Sequence, residues 1–90
     1  MQHIGPFDVD ERADGINIVT ANGEDVVLNA KEARRIAEVL ESAGALTIRN
    51  LRVHAGMDAE IRIGRSSHHL QRVHAAQLAR LLRAQSDSAS

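Results

Sequence analysis

The sequence predicts an α+β domain of two ββα units, an internal duplication whose hairpins form one antiparallel sheet with both helices on one face. Three observations carry this expectation. At an offset of 42 residues Ala33, Ile36, Ala37, Val39 and Leu40 fall on Ala75, Leu78, Ala79, Leu81 and Leu82, two helical stripes in the same phase. Each stripe follows hairpin-like alternation, around Asn22-Gly23 in the first half and around Gly56-Met57-Asp58 in the second. Ninety residues are the length of one domain, taken here as 1–85, with repeat units of about 16–44 and 46–85.

Residues 1–15, with Gly5-Pro6 and the acidic run from Asp8 to Glu11, read as an irregular lead-in pinned by Phe7 and Val9. The run Ile16 to Ala21, the Asn22-Gly23 pair and the run Glu24 to Leu28 then form a hairpin with a two-residue type I′ turn, because both central positions of that turn need φ > 0. Such a turn sets Val19 opposite Val26 and Ile18 opposite Val27. Apolar residues then stand on both faces, so one face packs on the helices and the other needs a second cover. Asn29 with Glu32 forms a capping box for a helix over about 30–43, and Gly44 ends it.

Beyond Gly44 the apolar phase runs through Leu46 and Ile48, slips at Arg49-Asn50, and resumes at Leu51, Val53 and Ala55. A slip of one residue marks a bulge or a break between short strands. Gly56-Met57-Asp58 closes a three-residue turn into Ile61 and Ile63, setting Arg52 opposite Arg62 and His54 opposite Glu60. A last helix starting at His68 after a serine cap, or near Val73 as the repeat favours, covers at least 73–84. His68–Arg72 is then loop or short strand, and the polar residues 86–90 read as a disordered tail.

Composition narrows the function classes. There is no cysteine, which removes disulfides and thiolate metal sites. Five histidines lack the spacing of a metal site, and no cofactor is expected. Asp10 to Gly15 fails as a calcium loop, since Arg12 takes the third position and Ala21 stands where a bidentate Glu is needed. No serine sits in an activated context and no glycine cluster matches a nucleotide loop, so an enzyme is not expected. No apolar run approaches the roughly 20 residues of a membrane span, and the N-terminus lacks a basic, apolar leader, so the chain reads as cytoplasmic without membrane attachment. With 43% hydrophobic residues but Phe7 as its one aromatic, the core is aliphatic; together with the two-sided hairpin this predicts a homodimer.

The net charge of −1 hides an asymmetry. Residues 1–45 carry four cations against nine carboxylates, and residues 46–90 carry seven arginines against Asp58, Glu60 and Asp87. In the second hairpin the facing Arg52 and Arg62, with Arg49 and Arg65 as near neighbours, form the candidate anion-binding or partner-binding site. Like charges across a strand pair cost a few tenths of a kcal/mol to about 1, so such a pair asks for a counter-anion.

The stretch from Val26 through Ala43, a strand leading into Ala30, Lys31, Glu32, Ala33 and the Ile36–Leu40 stripe, resembles small uncharacterised actinobacterial and mycobacteriophage proteins over roughly residues 16–43. The resemblance implies an accessory protein that acts by binding, and it transfers no functional residue. The leading expectation is a small non-enzymatic protein-interaction module, an inhibitor or adaptor of a phage or other mobile element. Two alternatives stand beside it: a nucleic-acid-binding regulator using the arginine-rich sheet face, and a self-assembly unit in which the acidic half of one copy meets the basic half of another.

Overall fold

The structure, a computed structural model, describes residues 2–13 and 15–89. The first half comprises β1 (Gln2–Ile4), β2 (Phe7–Arg12), β3 (Gly15–Thr20), β4 (Asp25–Leu28) and α1 (Ala30–Glu41). The second comprises β5 (Gly44–Ile48), β6 (Leu51–Ala55), β7 (Ala59–Ile63), β8 (Ser66–Leu70) and α2 (Arg72–Ala89). The class is α+β, but each half is ββββα rather than ββα, and there are two antiparallel four-stranded sheets, each a meander in chain order, rather than one. The helices pack on each other; α1 also touches β3, β4, β5 and β6, and α2 touches β1 and β3. The buried sides of both sheets and both helices thus share a single hydrophobic cluster.

The strands missing from the sequence reading have simple causes. Phe7, Asp8, Val9 and Asp10 alternate in and out, so the acidic residues of the lead-in are the polar half of a strand. Gly5-Pro6 is a tight turn that pairs Ile4 with Phe7, and Gly5 takes φ 56°. Arg49-Asn50 makes the matching turn between Ile48 and Leu51, with Arg49 at φ 50°, so the phase slip is a break between two strands. Met1, Asp14 and Ser90, parts of the expected lead-in and tail, lie outside the described residues.

The first hairpin differs by one register step. Ile18 pairs with Val26 and Ile16 with Leu28. Gly23 donates to the Thr20 carbonyl at 3.0 Å and Thr20 to the Glu24 carbonyl at 2.8 Å, a three-residue turn with Gly23 at φ 85°. An Asn-Gly pair serves this turn, with glycine alone at positive φ, as well as the two-residue type I′ turn. One step of register turns every side chain over. Ile16, Ile18, Val26 and Leu28 therefore all face the core, while Val27 is 42% exposed. The two-sided apolar hairpin that motivated a homodimer is gone.

The capping box of α1 is present: Glu32 donates its N–H to Asn29 Oδ1 at 2.8 Å, and Asn29 returns its N–H to Glu32 Oε1 at 3.0 Å. The helix ends at Glu41: Ser42 makes the last rung to the Glu38 carbonyl but leaves helical backbone at φ −109° and ψ −119°, and its hydroxyl donates to the same oxygen. At the other end of the chain α2 runs on through the expected tail to Ala89. Ser86 is buried there, and Gln85 donates its amide to the carbonyls of Arg12 and Gly15 at 2.7 and 3.2 Å. His68 and His69 lie in β8, the short-strand alternative, with α2 starting at Arg72, and the His68 ring meets Phe7 edge-on at 5.2 Å.

Ladder positions of the halves correspond throughout. Ile4 and Phe7 match Ile48 and Leu51 at an offset of 44, Ile18 matches Ile61 at 43, and Leu28 matches Leu70 at 42. The offset shrinks because the third and fourth strands of the second half follow connections one residue shorter. Leu40 and Leu82 are both in the core at matching helix positions.

Candidate interaction surface

Strict alternation in β6 and β7 sends Leu51, Val53, Ile61 and Ile63 inward and leaves Arg52, His54, Glu60 and Arg62 outward. The turn Gly56-Met57-Asp58, closed by Gly56 donating to the Asp58 carbonyl at 3.0 Å, fixes the pairing. Arg52 faces Arg62 and His54 faces Glu60, as the sequence predicts. Flanking strands extend these rows: Thr47 beside Arg52 and Ser67 beside Arg62, Ala45 beside His54 and His69 beside Glu60. Every residue on this outer face is exposed. Arg52, Arg62, His54 and Glu60 rim a shallow depression floored by Ala45. Glu60 accepts from the Ser67 hydroxyl at 3.3 Å. Among the described residues neither Arg52 nor Arg62 has an ion-pair partner, whereas Arg12, Arg34, Arg49 and Arg83 do.

The other two candidate arginines lie elsewhere. Arg49 sits at the β5–β6 turn and grips Glu32 of α1 with both arms, at 2.6 and 3.1 Å, while also donating to the Val27 carbonyl. That grip, with the Asn29 N–H, holds the Glu32 carboxyl below the usual carboxylate range, and Glu32 in turn raises Arg49. Arg65 lies in the β7–β8 turn, where Gly64 takes φ 60°. Its N–H and that of Ser66 point at the Glu24 carboxylate, at 3.0 and 2.9 Å. The Ser66 side chain first, then the Arg65 N–H, lowers the Glu24 carboxyl. Arg49 through its side chain and Arg65 through its backbone N–H fasten the second half to the first, and Arg52 and Arg62 form the facing pair.

The outer face of the first sheet is the other charged surface. His3, Asp8, Val19 and Asp25 form one row, and Asp10, Asn17 and Val27 the next. Asp8 is 2.6 Å from His3, and Asp10 lies 3.6 Å from Arg12. By ladder position Asp8 matches Arg52, Asp10 matches His54 and Asp25 matches Ser67, so the two outer faces share a backbone layout and carry opposite charge. The sequence alone suggests an irregular lead-in for Asp8 to Glu11 and so hides this face; the alternation of Phe7 through Asp10 is the signal that reveals it.

Compared with protein-family models, curated proteins and solved structures, the chain matches none.

The chemistry of the surface follows from its side chains. Paired guanidinium groups present planar forks suited to carboxylate or phosphate oxygens. Neither outer face carries Phe, Tyr or Trp to stack a base, although His54 and His69 stand on the basic one. Among the described residues no group of three or more histidine and carboxylate side chains converges as a metal site. No described helix is long and apolar enough to cross a membrane.

Proposed function

We propose that the chain is a non-enzymatic protein-interaction module that receives carboxylates of a protein partner on the outer face of β5–β8, with Arg52 and Arg62 as the contact pair. The carrying observation is that pair: two exposed cations held opposite each other by a fixed turn, neither with an ion-pair partner among the described residues. The absence of Phe, Tyr and Trp from the face and the near-neutral charge of the chain favour a protein carboxylate over nucleic acid. The resemblance over residues 16–43 supports an inhibitor or adaptor carried by a phage or other mobile element. We also infer that the ββββα halves are copies of one ancestral unit, since element order, ladder positions and helix stripes correspond.

An NMR titration of the protein with a short polyaspartate peptide, and separately with random-sequence duplex DNA, tests the reading. Polyaspartate is expected to shift the amides around Arg52 and Arg62. Arg62→Glu is expected to weaken that binding by tenfold or more, about 1.4 kcal/mol, while leaving the fold as stable or slightly more so. Unchanged affinity in the variant overturns the proposal. Preferential binding of DNA with a steep salt dependence replaces it with the nucleic-acid reading.

A further inference from the structure

We propose that the partner is a second copy of this chain, the outer face of β1–β4 on one molecule docking on the outer face of β5–β8 of the next in a head-to-tail contact. The inference rests on the carboxylate-binding reading of Arg52 and Arg62 and names the occupant of that face. Three observations support it.

The first is charge. Asp8 and Asp10 occupy on the first sheet the ladder positions that Arg52 and His54 occupy on the second. The carboxylates stand about 7 Å apart along β2, within the span of two guanidinium arms from neighbouring strands. Asp25, exposed at the edge of the same face, adds a third carboxylate. Docking like faces would instead set arginine against arginine or aspartate against aspartate.

The second is shape. Both faces belong to four-stranded antiparallel meanders in the same order, so they share handedness and twist. Two sheets of the same twist can stack face to face with their strands about 30° apart.

The third is an unmet hydrogen bond. Asn17 lies between Asp10 and Val27 on the acidic face, is 7% exposed, and its Oδ1 has no hydrogen-bond partner. Buried acceptors of this kind are normally satisfied. Its Oδ1 exposes less than 1 Å² in the single chain, so a guanidinium from the other copy supplies the missing donor only once the Asn17 side chain turns outward. Val27, 42% exposed in the same row, supplies apolar area to cover.

Because the two surfaces differ, the contact is heterologous and leaves one free face of each kind at the ends, so copies add in rows rather than closing as a twofold dimer. The contact is electrostatic and weakens as salt shortens the screening length from about 10 Å at 0.1 M to about 3 Å at 1 M.

Sedimentation velocity of the full chain, from micromolar to millimolar concentration at low and high salt, tests this with two charge-reversal variants. Arg52→Glu with Arg62→Glu makes both faces acidic; Asp8→Arg with Asp10→Arg makes both basic. The unaltered protein is expected to rise in mean mass above 9.8 kDa with concentration at low salt and to fall back at high salt. Each variant alone, folded by circular dichroism, is expected to stay at the monomer mass, and an equimolar mixture to regain association. A protein that stays at monomer mass at every concentration in low salt overturns the inference, as does association that both variants retain or a mixture of folded variants that does not associate. If the protein is monomeric and polyaspartate still shifts Arg52 and Arg62, only the second copy is ruled out as partner; if neither occurs, the carboxylate-binding reading falls as well.

Discussion

Arg83 donates its Nε to Glu41 at 2.6 Å, and these two residues stand at the same place on α2 and α1. At equivalent positions of two matching helices, identical residues would set like charges together. Opposite charges at this one position let the halves meet. Arg83 is raised by this bond. Both side chains are about two-fifths exposed, so the pair is worth little on its own. Reversing Arg83 to Glu is expected to lower the urea midpoint slightly, and adding Glu41→Arg to recover most of the loss.

A second expectation concerns acid. Glu24 and Glu32 both sit below the ordinary 4.5 in the folded protein. A carboxyl lowered by folding contributes stability that is present above its unfolded value and lost as pH falls through the folded one. The protein is therefore expected to hold its stability from neutral pH down to about 4.5 and lose it below. Glu24→Gln removes one of the two titrations, so its urea midpoint should fall less steeply with acid than that of the unaltered protein. Parallel acid slopes would show that Glu24 does not contribute.

How much of this was legible depends on what each signal can resolve. The second hairpin was read to the residue, Arg52 against Arg62, because clean alternation meets a turn with a single fitting length. The helix stripes and the Asn29–Glu32 box were equally direct. The first hairpin slipped because Asn22-Gly23 suits two turn types, and only the burial of Ile16 and Ile18 with Val26 and Leu28 chooses between them. The first two strands were hidden by their own polarity, since Asp8 and Asp10 look like an irregular lead-in until Phe7 and Val9 are seen between them. Of the four candidate arginines, local sequence could not separate Arg49 and Arg65 from the open pair: their partners Glu32 and Glu24 lie 17 and 41 residues away.

The corrected register yields its own test. Val26 is 3% exposed and Val27 42%. Val26→Thr buries a hydroxyl and is expected to cost about 1–3 kcal/mol, whereas Val27→Thr should stay within about 0.5. Equal losses in thermal unfolding would restore the two-residue turn.

Gly15 and Gly56 make a further contrast. A Cβ on Gly15 would lie 2.2 Å from the Leu28 carbonyl oxygen, a backbone atom with nowhere to go. Gly15→Ala is expected to cost about 1–3 kcal/mol or more, as overpacking does. Around Gly56 nothing lies within 4 Å, so Gly56→Ala should be neutral or slightly stabilising through a stiffer unfolded chain. A neutral Gly15→Ala in urea unfolding would mean that β3 and β4 can part at this point.

The amide of Gln85 reaches back 73 residues to the carbonyl of Arg12, and that reach sets when the protein can finish folding. The meanders are local and form quickly, but the Arg12 and Gly15 carbonyls lack the Gln85 amide until the last turns of α2 have been synthesised and docked. Synthesis therefore runs ahead of completion: a ribosome has made both sheets before it supplies the residue that closes the first. Nascent chains arrested before Gln85 should remain open to protease near Arg12, and chains extended past it and free of the ribosome should not.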